Sequence, residues 1–138
     1  LIIHDIDVQH QFGGEPDVVA ALKDLEKSGM RALEELKSCG EVKAIGAGKN
    51  FAYMIPRFMD IVKLDFFMVA NCYTLLEQSM MDELDRMQKE GVSMIIAAPY
   101  ASGILATGVV KDAKFRYAPA EADKIKRCLE LEALCDKH

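Results

Sequence analysis

Short apolar runs alternate along the chain with longer stretches in which apolar residues recur at helical spacing. The apolar runs predict strands, and the amphipathic stretches that follow them predict helices. The predicted strands cover residues 1–4, 42–48, 66–70 and 94–98, and the predicted helices cover residues 17–39, 51–63, 79–90 and 119–137. Each predicted strand is therefore followed by a helix, four times in succession.

Glycine and serine supply the expected helix boundaries. Gly29 is expected to break the first helix into two pieces, and Gly40 and Gly91 stand where the first and third helices should end. Ser79 is expected to cap the start of the third helix through its hydroxyl group.

Repeated strand–helix units predict an α/β fold with a parallel sheet that helices cover. Two architectures fit this pattern: a small open doubly wound sheet, or a piece of a (β/α)8 barrel. A complete barrel takes about 250 residues, so a chain of 138 residues has room for about half of one.

The chain begins inside its first predicted strand, with no initiator Met and no leading loop. Chain termini are usually exposed rather than placed inside a buried strand. This start is what we expect of a fragment, a truncated chain or one chain whose partner completes the sheet.

Composition and charge narrow the classes of partner. The net charge of −5 argues against a nucleic-acid partner, because phosphate binding requires a basic surface. Residues 92–110 are apolar enough to be tested as a membrane span, but Pro99 and Gly103 interrupt them, so we expect a buried strand and a glycine loop and no membrane partner.

The four cysteines contain no C-x-x-C pair. They are expected to be small buried apolar residues in a reducing compartment, which predicts a cytoplasmic protein. Cys128 and Cys135 are seven residues apart and are expected to share one helix face.

Polar residues follow all four predicted strands. In both candidate architectures ligands bind at the carboxyl ends of the parallel strands. These residues are His4, Asp5 and Asp7 after the first strand, Asn50 after the second, Asn71, Cys72 and Tyr73 after the third, and Tyr100 and Ser102 after the fourth. The sequence therefore predicts one site to which several strand ends contribute.

Four segments together resemble the aldo-keto reductase family. Residues 1–4 are similar to the family's fourth strand, which ends in its catalytic histidine, and residues 32–46 are similar to the helix and strand that lead to a nicotinamide-contacting Asn. Residues 73–77 resemble its sixth strand end, and residues 99–108 its seventh strand and pyrophosphate loop. The likeness is greatest to the branch of the D-threo-aldose (L-fucose) 1-dehydrogenases and pyridoxal 4-dehydrogenases.

The resemblance implies that residues 1–138 form a single partial domain, a parallel (βα)4 half of a TIM (β/α)8 barrel on its C-terminal side. It also implies an oxidoreductase that transfers a hydride between a nicotinamide cofactor, NAD or NADP, and the carbonyl or alcohol carbon of a sugar or other small aldehyde. The family's catalytic Tyr, Lys and Asp belong to earlier strands, so we expect the isolated chain to be inactive.

The resemblance also implies roles for residues of this chain. His4 is the expected catalytic residue and would donate a hydrogen bond to the substrate oxygen. Asn50 would be donor and acceptor for the nicotinamide carboxamide, and backbone groups of Tyr100, Ser102 and Gly103 would hold the pyrophosphate.

The chain departs from the family pattern at three places. Ala70 replaces a Gln, Ala97 replaces the ring that stacks on the nicotinamide, and Gly48 or Lys49 stands where a Ser precedes the Asn. The first two departures remove expected nicotinamide contacts.

Simpler roles remain open for two of these residues. Asn50 could instead cap the following helix, and Tyr73 is expected to be a packing residue.

A metal-dependent barrel hydrolase is a less favoured alternative, suggested by His4, Asp5, Asp7 and His10. Successive strand residues point to opposite faces, so His4 and Asp5 are not expected to face one site, and no bound metal is expected.

A non-catalytic half-barrel that acts as an assembly module is the other alternative. Its two unpaired sheet edges would need cover, from a homodimer or from the missing half-barrel.

Overall fold

The computed structural model describes residues 1–7 and 14–138, so the predicted role of His10 lies outside the described residues. The strands are β1 (Ile2–His4), β2 (Gly46–Lys49), β3 (Phe66–Ala70), β4 (Ser93–Ala97), β5 (Lys114–Phe115) and β6 (Ala118–Pro119). The α-helices are α1 (Glu15–Asp24), α2 (Met30–Ser38), α3 (Met54–Met59), α4 (Met81–Glu90), α5 (Ile104–Thr107) and α6 (Ala122–Cys135).

The first four strands form one parallel sheet in the order β1-β2-β3-β4. Each strand therefore lies beside its predecessor, with no reversal of strand order. A doubly wound sheet reverses its order at the switch point, whereas a barrel adds every strand in the same direction. The order confirms the prediction of an α/β fold built as part of a TIM barrel.

Gly29 and Ser79 do not form the helix boundaries predicted for them, and the helix predicted over residues 51–63 is only Met54–Met59. Gly29 does not break the first helix, because Leu25–Gly29 form a π-helical turn that joins α1 to α2 while Gly29 keeps helical angles (φ −61°, ψ −46°). The buried Leu25 and Met30 on either side anchor this turn. Ser79 does not cap α4, because the helix begins after the fully buried Met80.

The second strand begins later than the apolar pattern predicts. Ile45 precedes it, and the Ile45 amide donates to the Asp65 carboxylate at 2.8 Å. Gly40 and Gly91 follow the ends of their helices with left-handed φ angles of 85° and 69°, as expected. The last helix, Ala122–Cys135, is shorter than the predicted range of 119–137. The apolar pattern did not predict the short elements between β4 and α6.

One face of the sheet carries the main hydrophobic core. Phe67 and Val69 of β3 are fully buried, and the Phe67 ring meets the Phe58 ring of α3 edge-on with centroids 6.3 Å apart. The same core takes in Val18 and Leu22 from α1. Burial of such side chains stabilises the fold by about 1.5–3 kcal/mol each.

The opposite face of the sheet mixes small and large residues. The strand register places Gly46, Gly48, Ala70 and Ala97 on this face together with Phe66, Met68 and Ile95, alternating with the core-facing positions. Only glycine fits at position 46 without a shift of the neighbouring ring, because a Cβ atom built there would lie 2.5 Å from the Phe66 ring. This face would be the interior of a closed barrel.

A lysine lies among the apolar side chains of the core. Lys49 is 2% exposed, its Nζ stands 4.1 Å from the centroid of the Phe58 ring, and it donates to the Ile6 carbonyl at 3.1 Å. Burial lowers the pKa of Lys49 from 10.5 to about 8, although the charges of Asp7 and Asp5 oppose the change.

A smaller apolar cluster lies beneath the C-terminal helix. Cys128 packs there with Leu76, Ala101 and Ile104. The predicted apolar positions of α6 are only partly right, because Leu129 and Leu134 are 49% and 55% exposed. Among the described residues, no helix is long and apolar enough to span a membrane.

The cysteines divide into two pairs. Cys72 and Cys128 are buried, as predicted, whereas Cys39 and Cys135 are exposed, so that part of the prediction was wrong. Cys128 and Cys135 also differ in environment, because α6 ends at Cys135 and leaves that thiol at the surface.

We predict that Gly46→Ala lowers the free energy of unfolding by about 1–3 kcal/mol, because the new methyl group overlaps the Phe66 ring. Urea unfolding measures the change. In a Phe66→Leu background the same substitution should cost less, since the clashing ring is gone. An equal cost in both backgrounds would contradict this explanation.

We predict that Lys49 makes stability rise between about pH 8 and 10.5. The unfolded chain keeps the lysine proton up to about pH 10.5, whereas the folded chain releases it from about pH 8, so the unfolded state binds more protons in this window. The gain is at most about 3 kcal/mol. Relative to Lys49→Met, the wild type should gain stability across the window, while the surface variant Lys89→Met should behave like the wild type. Parallel pH curves for the wild type and Lys49→Met would refute the prediction.

Candidate functional site

A cavity of about 350 Å³ lies at the carboxyl ends of the parallel strands. The ends of all four strands contribute to it, which is the position that the sequence pattern predicts. Its lining residues are His4, Asp5, Gly48, Lys49, Asn50, Met68, Ala70, Ala97 and Tyr117. The structure therefore brings the predicted catalytic His4 and the predicted cofactor residue Asn50 together in one cavity.

The Asp5 carboxylate joins these two residues. His4 Nδ1 lies 3.0 Å from Asp5 Oδ2, and Asn50 Nδ2 donates to Asp5 Oδ1 at 3.1 Å. The Asp5 side chain is 18% exposed, so the shared carboxylate is shielded from much of the solvent. One acidic group thus contacts both predicted functional side chains.

The expectation that His4 and Asp5 face away from each other was wrong. Strand alternation does not apply to this pair, because β1 ends at His4. Asp5 then has a left-handed φ of 49°, which brings its side chain back to the His4 ring. His4 and Asp5 can therefore face the same cavity, because the strand ends between them.

The absence of a side chain on Gly48 leaves space for the His4 ring. A Cβ atom on Gly48 would lie 3.2 Å from His4 Cδ2 and 3.7 Å from His4 Nε2, so the Nε2 edge of the ring lies over this glycine. Ala70 and Ala97 are small residues farther along the cavity wall, and the larger Met68 lines the wall beside Gly48.

Lys49 holds the loop after β1 from the other side of the sheet. Its Nζ donates to the Ile6 carbonyl, and the buried Asp7 is the charge that most opposes the lowering of the Lys49 pKa. The last residue of β2, Lys49, therefore contacts the loop, and the residue after it, Asn50, contributes to the cavity. The loop that carries Asp5 is thus anchored to a neighbouring strand.

The predicted pyrophosphate residues lie beside this cavity rather than in it. Tyr100, Ser102 and Gly103 form the turn after β4, and the side chain of Tyr100 is largely exposed. The Gly103 amide donates to the Tyr100 carbonyl at 2.9 Å, so it is already used within the turn. Ser102 Oγ accepts a hydrogen bond from the Tyr117 amide at 3.1 Å.

This hydrogen bond places a strained hairpin turn next to the cavity. Arg116 and Tyr117 connect β5 to β6 with φ angles of 50° and 67°, values that favour Asn and Gly over larger residues. Tyr117 lines the cavity of His4 and is 84% exposed. Ser102 thus connects the glycine turn to a residue of the candidate site.

The end of the third strand contributes mostly packing. Tyr73 is half-buried and packs against the main core, which confirms the expectation for it. Cys72 is buried and donates through Sγ to the Asn50 carbonyl at 3.2 Å, and burial raises the pKa of this thiol. Asn50 does not cap α3, because that helix begins after Tyr53.

Sequence reasoning missed the role of one contributor to the cavity and missed another altogether. Asp5 was predicted among the polar residues at the strand ends and as a possible metal ligand, but not as a contact of both His4 and Asn50, although a carboxylate next to a strand-end histidine is a common orienting partner. Tyr117 lies far along the chain and gave no signal by spacing. Within residues 1–7 and 14–138, no group of three metal-ligating side chains comes together.

A larger cavity, of about 720 Å³, lies between α4, the β5–β6 hairpin and the start of α6. Acidic residues such as Glu77 and Glu121, together with Arg116 and Lys124, line it. None of the predicted site residues does, and Lys124 already pairs with Glu77 at 3.5 Å. The smaller cavity is the better candidate site because the ends of all four parallel strands and two of the predicted site residues line it.

Comparison with known proteins agrees with this geometry. The chain is 38% identical over 111 residues to a pyridoxal 4-dehydrogenase from Microbacterium luteolum, which aligns 80% of this chain and 32% of that protein. It is 34% identical over 113 residues to a D-threo-aldose 1-dehydrogenase from a Pseudomonas species, aligning 80% of this chain and 34% of that protein. The chain thus spans about a third of the length of these curated relatives. The model of the aldo/keto reductase family matches residues 1–138, and the chain therefore belongs to the aldo/keto reductase family.

Proposed function

We propose that the protein containing this chain is an oxidoreductase that transfers a hydride between NAD or NADP and a carbon of a small sugar, aldehyde or alcohol. The observation that carries the proposal is the linked trio of His4, Asp5 and Asn50 around a cavity at the strand ends of a family member. The names of the two relatives support a substrate that is an aldose or a pyridoxal-like aldehyde.

The residues of the cavity fit a flat, amide-bearing cofactor ring. Gly48, Ala70 and Ala97 leave room for a ring beside Met68, although the two alanines lack the side chains that contact the nicotinamide in the family pattern. Asn50 donates one N–H to Asp5, and its second N–H and its carbonyl oxygen remain for a carboxamide. The nicotinamide, when bound, supplies the carbon that accepts or gives the hydride.

Within this reaction His4 would orient the substrate oxygen, and Asn50 would orient the cofactor. Holding substrate and cofactor in one geometry lowers the entropic part of the activation free energy of hydride transfer. Tyr100, Ser102 and Gly103 are proposed to contact the pyrophosphate, with exposed groups of the turn other than the Gly103 amide as donors. The free thiols suit a reducing compartment such as the cytoplasm.

We predict that the longest natural protein containing these 138 residues binds NAD or NADP saturably and oxidises or reduces an aldose or pyridoxal. His4→Ala should lower kcat about 100-fold or more, because the substrate oxygen loses its oriented partner. Spectrophotometric turnover of the nicotinamide measures this.

Asn50→Ala should raise the cofactor Kd about tenfold, the loss of about 1.4 kcal/mol, while leaving the fold intact. The exposed Gln88→Ala on α4 is the matched control and should change neither quantity. A folded full-length protein that binds neither cofactor would sink the proposal.

A further inference from the structure

The β5–β6 hairpin has a two-residue turn made of Arg116 and Tyr117. Phe115 pairs with Ala118 across the turn, and the two turn residues have left-handed φ angles of 50° and 67°. Hairpin turns in which both central residues have a positive φ strongly favour Asn-Gly, because most larger side chains are strained in this conformation. Arg116 and Tyr117 therefore occupy positions that their side chains do not favour by themselves.

Contacts on three sides hold the hairpin in this strained conformation. The Phe115 side chain packs against the smaller apolar cluster beneath α6. The Arg116 guanidinium group lies over the Phe51 ring, 5.4 Å from its centroid, and the Tyr117 amide donates to Ser102 Oγ at 3.1 Å. The backbone of Tyr117 is thus held in place, although the residue is 84% exposed. Strained residues that their surroundings hold in this way are common at ligand sites.

The two turn residues line different cavities. Arg116 lines the cavity of about 720 Å³, whereas Tyr117 lines the cavity of about 350 Å³ that contains His4. Among the described residues that line the His4 cavity, Tyr117 is the only one with a six-membered aromatic ring. The wall residues Ala70 and Ala97 are too small to cover the face of a bound ring.

An exposed aromatic ring beside a cavity gains free energy when a ligand covers it. The tyrosine side chain has a large apolar area, and stacking on another ring removes part of that area from water. The nicotinamide of a cofactor, the pyridine ring of pyridoxal and the ring of a cyclic aldose all have a face that can stack in this way. The fixed backbone lowers the entropy that the protein loses when such a ring binds.

We propose that Tyr117 is a ligand-binding residue of the His4 cavity and that its side chain stacks on a six-membered ring of the bound cofactor or substrate. The strained turn directs this side chain to the cavity. The identity of the ligand, a nicotinamide or the ring of an aldose or pyridoxal, rests on the proposed function.

The substitution Tyr117→Gly, made in the longest natural protein containing this chain, separates a role in binding from a role in folding. Glycine adopts the φ of this position without strain, so the melting temperature should rise by about 1–3 °C. Loss of the ring should weaken binding of its ligand about three- to tenfold. Calorimetry measures the Kd of NAD and NADP, and steady-state turnover of an aldose or pyridoxal gives the substrate KM.

Two further variants are the controls. Tyr117→Phe keeps the ring and should bind both ligands like the wild type. Arg116→Asn changes the other strained residue of the same turn, but Arg116 lines the other cavity. This substitution should therefore leave the cofactor Kd and the substrate KM unchanged.

The two binding measurements identify the ligand that stacks on Tyr117. A raised cofactor Kd in Tyr117→Gly assigns the stacked ring to the nicotinamide, and a raised KM with an unchanged Kd assigns it to the substrate. Unchanged values of both in folded Tyr117→Gly would overturn the proposal. An equal loss of binding in Tyr117→Phe or Arg116→Asn would do the same, because the ring would then not be the cause.

A lowered melting temperature of Tyr117→Gly would also overturn the proposal, because it would make Tyr117 a packing residue of the complete protein. A wild type that binds neither NAD nor NADP would defeat the proposed function and this assignment together. A wild type that binds its ligands as tightly as Tyr117→Gly does would defeat this assignment alone.

Discussion

In-register parallel pairing of four consecutive strands is the constraint on which the rest of the structure depends. Each strand adds beside the one before it, so every carboxyl end lies along one edge of the sheet. The main core packs on one face, where Phe58 meets Phe67, and the other face carries Gly48 and Ala70 beside the larger Met68. The cavity of His4 exists because these two conditions meet at the strand ends.

Repeating apolar runs predicted much of this, because parallel strands that are buried on one or both faces are continuous apolar segments. The third strand was predicted to the residue, and the polar groups after the strands were expected at one edge. The sequence pattern predicted helix boundaries wrongly where tertiary contacts determine them. Leu25 and Met30 keep the helix continuous past Gly29, and the burial of Met80 rather than the hydroxyl of Ser79 sets the start of α4.

Two residues of the candidate cavity were expected from the sequence, but the contact that joins them was not. His4 and Asn50 could be identified from the likeness of their strand ends, and the structure places both in one cavity. The link through Asp5 could not be predicted, because the rule of alternating side chains applies only while the strand continues. One left-handed residue after the strand reverses the outcome, and no local pattern signals a positive φ at an aspartate. Tyr117 enters through a hairpin that is distant in sequence, so spacing gave no indication of it.

Strain and anchoring at the end of β1 are two aspects of one arrangement. A residue with the φ of Asp5 would relax if its loop were free, so the conformation persists only where other contacts determine it. Gly48 and Lys49 on β2 supply them: the Gly48 carbonyl accepts from the Asp5 amide, and the Lys49 ammonium group donates to the Ile6 carbonyl. The desolvation that lowers the Lys49 pKa is a cost of placing this anchor inside the core. Asn50, the residue that follows β2, donates to the carboxylate of the anchored loop. The buried Lys49 and the left-handed Asp5 both lower the stability of the fold, and their contacts hold the His4 ring and the Asn50 amide on either side of one carboxylate.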